Sequence, residues 1–298
     1  MTFRQDPSQT VGLARGNETK AAQDDREGTL SVVVPAKNES ESLPQLLDEI
    51  TRALRPLRED GKSGLVGFEV LIVDDGSTDE TSNVLRDLER LHPELRTVRL
   101  ASNIGQSGAI AAGFQEARGD WVALLDADLQ NDPADLAKLW KELPGHDAVL
   151  GWRVKREDVW SKRIVSRWAN RIRNGFLGQG IKDTGCSLRI FPRDVALRLP
   201  MFQGAHRFFG PLLIREGCDV AQVPVHHRPR PHGTSHYNIW NRSFKVVVDL
   251  LGVVWLLRRP LRYRVLSTRL AETPHAVLSR GQARKSSRDL ANEKGANS

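Results

Sequence analysis

The chain has 298 residues, of which 39% are hydrophobic and 27% charged. That balance supports a soluble globular fold with a substantial core and excludes collagen-like, coiled-coil and wholly disordered classes. A formal net charge of +7 points to an anionic partner: nucleic acid, acidic lipid or a phosphorylated substrate. Two cysteines, Cys186 and Cys218, form no metal-ligand cluster, and the polar N-terminal stretch lacks the apolar core of a secretory signal. A reduced, cytoplasmic setting is expected.

Residues 1–28 are polar and without periodicity, as is the stretch 266–298, and both are expected to be disordered tails. Between them, aliphatic runs alternate with amphipathic stretches. The run 30–35 (LSVVVP) precedes a helical pattern over 41–58, with Leu43, Leu46, Leu47, Ile50 and Leu54 on one face. The run 68–74 (FEVLIVD) precedes a helix over 78–91, carried by Val84, Leu85, Leu88 and Leu91. The strand 95–100 is followed by a helix over 106–117, and the strand 121–126 by one opened by Pro133. Later strands are predicted at 147–152, 187–191 and 220–225, with a long helix over 160–177. Continuous apolar runs suit strands buried on both faces, and strand–helix alternation means a mostly parallel α/β sheet flanked by helices. No internal repeat divides it, so one domain is expected over 29–240.

Ligands of open α/β sheets bind beyond the carboxyl ends of the strands. Three successive strand ends carry carboxylates: Glu39 after the first, Asp74-Asp75-Gly76-Ser77 after the second, Asp126-Ala127-Asp128-Leu129-Gln130 after the fourth. Alternate carboxylates leaving an extended strand can face one oxygen-seeking cation, and a site of one or two carboxylates plus substrate phosphates suits Mg2+ or Mn2+. Gly76 reads as a turn residue with positive φ, and Ser77 or Thr78 as the cap of the next helix. Neither a Gly-x-Gly-x-x-Gly loop nor a Walker lysine loop is present, which disfavours dinucleotide and P-loop sites.

Four motifs in order resemble those of family-2 glycosyltransferases of the GT-A (Rossmann-like) fold. They are Val34-Pro35-Ala36-Lys37-Asn38-Glu39, Val73-Asp74-Asp75-Gly76-Ser77-Thr78-Asp79, Asn103-Ile104-Gly105 and Asp126-Ala127-Asp128-Leu129-Gln130-Asn131-Asp132-Pro133. The Asp-Ala-Asp-Leu-Gln form is similar to that of the polyprenyl-phosphate glycosyltransferases, the dolichyl-phosphate mannose synthase type. The resemblance runs from Leu30 to about Trp240. It implies inverting transfer of a sugar from an NDP-sugar to a polyprenyl phosphate, with Mg2+ or Mn2+. Pro35, Lys37, Glu39, Val73 and Asp75 would contact the nucleotide, joined by Ala127; Asp126, Asp128 and Gln130 would hold the metal. Arg153 would lie near the sugar phosphates, and Arg163 and Ser166 would receive the acceptor phosphate, with Arg189 beside them. Arg167 and Arg171 read as a solvated helix face. Arg230 and His236 belong to a late loop in which the family usually has a lysine where His236 stands. Histidine, with a pKa of about 6.5, is only partly charged at neutral pH. The interleaving of His226, His227, His232 and His236 with Arg228 and Arg230 reads as a basic loop facing phosphate rather than a metal site.

The apolar stretch 244–257 interrupts itself with Lys245 and Asp249 and spans about 21 Å as a helix, against a hydrocarbon core of about 30 Å. Residues 241–265 therefore read as an interfacial helix with a basic cluster, its apolar face made of Val246, Val247, Leu250, Val253, Val254 and Leu257. The expected setting is peripheral, on the inner face of the cytoplasmic membrane. The alternative for this helix is docking on the core or in a dimer interface, which leaves a homo-oligomer open. Substrate and membrane are both anionic, so the net charge requires no nucleic acid. Two other functions remain in view: a soluble glycosyltransferase acting on a sugar hydroxyl, and a non-catalytic nucleotide-sugar-binding or membrane scaffold protein. A polysaccharide synthase is rejected, since Ile164 stands where its Gln-x-x-Arg-Trp signature needs glutamine.

Overall fold

The computed structural model describes residues 27–154, 180–229 and 239–259, the last without the side chains of 239–247. The chain runs β1 (Gly28–Ala36), α1 (Leu43–Glu59), β2 (Leu65–Asp74), α2 (Thr81–Leu91), β3 (Leu95–Arg99), α3 (Gln106–Glu116), β4 (Trp121–Leu124), α4 (Ala134–Lys141) and β5 (Ala148–Arg153). It continues through β6 (Arg189–Pro192), α5 (Arg193–Arg198), a 3-10 turn (Ala205–Phe208), α6 (Phe209–Arg215), β7 (Val220–Val225) and α7 (Ile239–Leu257). All seven expected strands are present, with ends displaced by a few residues. The short helices α5 and α6, of six and seven residues, were not expected, because so few residues show no helical period. The helix expected over 160–177, the loop 230–237, residues 1–26 of the first tail and the whole of the second lie outside the described residues, while Gly28, expected in the tail, opens β1.

The strands form one sheet in the order β3-β2-β1-β4-β6-β5-β7. β1 pairs in parallel with β2 on one edge and with β4 on the other, β2 with β3 and β5 with β7 are also parallel, and β6 runs against both its neighbours. The order reverses at β1, so the crevice beyond the ends of β1, β2 and β4 is the topological switch point.

Alternation along each central strand feeds two buried layers. Leu30, Val32, Val34, Val70, Ile72 and Ala123 pack under α1, α2 and α4. Val33, Leu71, Val73, Val122 and Leu124 face α3, α5, α6 and α7. α3 lies close on its layer: a methyl on Gly113 would sit 2.4 Å from Val33 Cγ1. Phe114 of α3 packs edge-on against Phe191 at a centroid distance of 5.7 Å.

α7 corrects an expectation. Of the face assigned to lipid, Val253 and Val254 are buried, and Leu250 and Leu257 pack against the second layer. Val246 and Val247 carry no described side chain. The residues that α7 leaves exposed are instead Val248, Leu251 and Trp255. Among the described residues, no helix is long and apolar enough to cross a membrane.

The fit of α3 is testable. Glycine to alanine inside a helix ordinarily stabilises by about 1 kcal/mol, whereas overpacking a tight core costs about 1–3 kcal/mol. At Gly113 the clash should win, so Gly113→Ala should lower the thermal midpoint. Adding Val33→Ala should recover part of the loss, read as coupling in a double-mutant cycle. Additive effects would show that α3 has room to move away.

Candidate active site at the carboxyl rim of the sheet

The ends of β1 and β2 are stitched together before either can offer a side chain to a ligand. Asn38, at φ 54°, donates its backbone N–H to Ser77 Oγ (2.9 Å) and accepts Thr78 N on Oδ1 (2.9 Å). Glu39 N donates to Thr81 Oγ1 at 3.0 Å. Ser77 and Thr78 therefore hold the β1 loop and do not cap the following helix. That helix starts later, at Thr81, from Glu80 with no side-chain cap.

The two aspartates of the turn are structural in different ways. Asp74, buried, accepts Ser77 N and Ser82 Oγ, both at 2.8 Å. Asp75, also buried, accepts Ile104 N on Oδ1 (2.7 Å) and Gly105 N on Oδ2 (2.9 Å). It thereby ties the end of β2 to the loop that opens α3, which explains why Asn103-Ile104-Gly105 stands where it does. Gly76, at φ 64°, lies so close to this loop that a Cβ would fall 2.8 Å from Asn103 N. Of the other nucleotide-side candidates, Lys37 is exposed, while Pro35 and Glu39 are partly buried. Glu39 accepts Ser42 Oγ at 2.9 Å. Val73 is fully buried under α3 and Ala127 is buried, so these two positions present backbone, not side chain, to the rim.

After β4 the chain turns sharply. Leu129 takes φ 59°, a left-handed conformation that costs a bulky residue about 1–3 kcal/mol. Its buried side chain offsets this with about 1.5–3 kcal/mol of apolar burial. Just before this turn stand Asp126 and Asp128, close enough for the charge of one to act on the other. Gln106, the first residue of α3, donates Nε2 to Asp126 Oδ1 at 2.8 Å, and Gln130 N donates to Asp128 Oδ1 at 3.1 Å. Burial, then the neighbouring Asp128 charge, pushes the Asp126 carboxyl above the usual carboxylate range, against a Ser187 hydrogen bond and the charges of Arg189 and Arg153. Asn131 Nδ2 in turn holds Ser187 Oγ at 2.7 Å.

The basic residues are mostly committed elsewhere. Arg189, paired across the sheet from Leu124, is 5% exposed. It donates to the carbonyls of Ser187 and His206, each at 3.2 Å, and to that of Cys186, with its guanidinium 5.4 Å from the Phe209 ring centroid. It is a fixed positive charge behind the carboxylate pair, not an arm free to receive an acceptor. Arg153 is held bidentately by Asp183, Nε to Oδ2 at 2.7 Å and Nη2 to Oδ1 at 3.1 Å. Burial raises the Asp183 carboxyl, but its bonds to Arg153 win and leave it below the usual range. Arg228 bridges Glu49 (2.7 Å) and Asp132 (2.8 Å), and His226 N meets Asp135 Oδ2 at 2.6 Å. The described start of the late basic loop thus faces protein carboxylates, contrary to expectation. Arg163, Ser166, Arg230 and His236 lie outside the described residues.

Gln106, Ser187 and Asn131 were not singled out by the sequence. The available signal was Gln106 directly after Asn103-Ile104-Gly105, at the start of a helix running from the rim. Among the described residues no group of three or more His, Cys, Asp or Glu gathers. The oxygens that the structure brings together here are those of Asp126 and Asp128; of Gln130 it shows the backbone N–H on Asp128 Oδ1. The repulsion within the pair and its all-oxygen character fit a hard divalent cation completed by substrate oxygens.

Known proteins resemble this chain in sequence and in fold. The profile described as Glycosyl transferase family 2 matches residues 31–199. The chain is 35% identical over 241 residues to dodecaprenyl-phosphate galacturonate synthase of Rhizobium johnstonii, covering 78% of this chain and 68% of that protein. It is 36% identical over 235 residues to undecaprenyl-phosphate 4-deoxy-4-formamido-L-arabinose transferase of an Enterobacter species, covering 78% and 69%. Among solved structures, a mannosyltransferase of Pyrobaculum calidifontis in complex with GDP-Man and Mn2+ matches with a TM-score of 0.55 at 22% identity, over 82% of this chain and 68% of that one. That likeness establishes the fold, which is GT-A.

Two outcomes follow from the rim. Asp75→Asn leaves only one acceptor for two amides, at a cost of about 1–3 kcal/mol. Hydrogen exchange at Ile104 and Gly105 should accelerate in the ligand-free protein, and unchanged protection would refute the anchoring role. Asp126 binds its proton more tightly folded than unfolded, so its contribution to stability is fully present at low pH. That contribution falls as pH rises from the ordinary aspartate range through its raised folded value. At neutral pH without divalent cations, Asp126→Asn should therefore melt higher than the parent. The parent should be the one stabilised further by Mn2+.

Proposed function

The chain belongs to glycosyl transferase family 2, and on that premise we propose that it transfers a sugar, with inversion, from a UDP- or GDP-sugar to a polyprenyl phosphate. The observation that carries the reading is the Asp126–Asp128 pair, which follows β4 at the switch point and is steadied by Gln106. The acceptor class is supported by the names of the two relatives, each of which specifies a polyprenyl phosphate.

In this mechanism Asp126, Asp128 and Gln130 would hold Mg2+ or Mn2+. When bound, the cation supplies Lewis-acid stabilisation of charge on the departing nucleoside diphosphate. The exposed Lys37 binds donor phosphate, with Pro35 and Glu39 lining the nucleoside side. Asp75 contributes by holding the loop 103–105 in place. Arg189 offsets part of the repulsion between the carboxylates, and Arg153, oriented by Asp183, presents a rigid guanidinium toward the sugar side. Roles for Arg163 and Ser166 at the acceptor phosphate, and for Arg230 and His236 at the diphosphate, rest on the family resemblance alone. No proton-abstracting base is needed. The second pKa of a phosphomonoester is about 6, so the acceptor is mostly dianionic at neutral pH and has only to be positioned. With a lipid-linked acceptor and a nucleotide-sugar donor, the enzyme would work peripherally on the inner face of the cytoplasmic membrane.

The test is a panel of radiolabelled UDP- and GDP-sugars offered with undecaprenyl phosphate. Label should enter the organic phase in the presence of Mg2+ or Mn2+ and stop with excess EDTA. Asp128→Ala should lower transfer by about a hundredfold or more while the fold persists. Label on a free saccharide hydroxyl, with none in the lipid, would overturn the acceptor. Full activity in EDTA would overturn the cation site.

A further inference from the structure

α7 has two apolar faces. One is docked: Val253 and Val254 are buried, with Leu250, Leu256 and Leu257 beside them. The other is open. Val248, Leu251 and Trp255 are 51%, 59% and 60% exposed. Their spacing of three and four residues places them in one stripe along the helix. The burial of Val253 and Val254 turns the stripe outward, and Asp249, on the docked side, lies 3.9 Å from the Arg207 guanidinium. The stripe runs into Arg258 and Arg259, both exposed, and the Arg259 guanidinium lies 5.5 Å from the Trp255 ring centroid. The sequence continues with Arg262 and Arg264.

We propose that this stripe, and not the face named from periodicity, docks the protein on an anionic lipid bilayer. Leu251 and Trp255 enter the interface, and Arg258 and Arg259 meet the head groups. The inference deepens the lipid-linked reading and rests on it for its purpose, though not for its geometry. Charge complementarity selects the occupant. An indole between aliphatic residues and arginines matches the amphipathic boundary of a bilayer, apolar inside and anionic at the surface. A second copy would bring the same net charge of +7 instead of the opposite charge that Arg258 and Arg259 call for.

The test uses the full chain and flotation with vesicles of phosphatidylcholine containing phosphatidylglycerol, against vesicles of phosphatidylcholine alone. The wild type should float with the anionic vesicles. The double variant Leu251→Ser/Trp255→Ser should lose partition by roughly tenfold or more, with an unchanged circular-dichroism melt because both side chains are exposed. Arg258→Glu/Arg259→Glu should lose about fivefold per charge removed, and with it the preference for anionic lipid. Leu91→Ser, an exposed apolar site elsewhere, should bind as the wild type does. The proposal is overturned if the wild type does not float, or if the double variant floats undiminished. It is equally overturned if sedimentation shows a dimer that the double variant dissociates and that excludes vesicles. These vesicles hold neither polyprenyl phosphate nor donor. Retained flotation without transfer would thus reject the acceptor and leave the docking surface standing, and transfer without flotation would do the reverse.

Discussion

The double burial of the central strands is the constraint on which the rest of the structure depends. Over Val32–Val33 of β1 and Val70–Val73 of β2 the strands are hydrogen-bonded along both edges and covered on both faces, so neither can present a polar side chain there. Polar chemistry is left to the positions where these strands end. Parallel pairing puts those ends on one rim, and the reversal of strand order at β1 opens a crevice there. The buried Ser31 shows what an exception requires: its hydroxyl donates to Glu69 at 2.6 Å and accepts Gly119 N at 2.8 Å.

The rim itself is assembled against electrostatic and conformational resistance. Asp126 and Asp128 repel each other in a partly buried setting, and Leu129 adopts a backbone conformation ordinarily left to glycine. Neither feature serves stability, and both are supported from outside. Arg189 sits behind the carboxylates with its donors committed to three carbonyls, so it lends charge without competing as a ligand. Gln106 and Ser187 hold Asp126 from two sides. A site that stays destabilised until a cation and an anionic substrate arrive together is suited to binding them as a unit.

Most of the fold was legible in the sequence because buried parallel strands leave an unambiguous mark. The runs at 30–35, 68–74 and 121–126 have few alternatives, and the carboxylates after them could be placed on one rim. The site was legible in residue type but not always in role. An aspartate that reads a ligand and one that anchors a loop look alike in sequence, and Asp75 gives both its oxygens to backbone amides. Arg228 looked free for phosphate, and only the tertiary approach of Glu49 and Asp132, remote in the chain, neutralises it. For α7, periodicity identifies an apolar stripe but cannot say which of two stripes the core will take. Leu250, Val253 and Leu257 satisfied the pattern and went inward; Val248, Leu251 and Trp255 satisfied it equally and stayed out.

The segment between β6 and α6 links the helix to the rim. Gly204 lies against Asp249 of α7, which also pairs with Arg207. On its other side, Gln203 Nε2 donates to Ile104 O at 2.5 Å, and Gly204 N donates to Ser107 Oγ at 3.1 Å. Ser107 Oγ also meets His206 Nδ1 at 2.7 Å. Residues 203–207 therefore touch both α7 and the start of α3, the same turn that Asp75 anchors and from which Gln106 reaches Asp126. Every contact in this series is short-range and between packed elements, so it transmits position and needs no conformational switch. A surface that settles the outer stripe of α7 at a given depth would fix the height of the carboxylate rim above that surface. For the proposed acceptor, whose phosphate stays in the head-group layer, fixing that height would be a requirement of positioning, and a few side chains far from the reacting atoms would meet it.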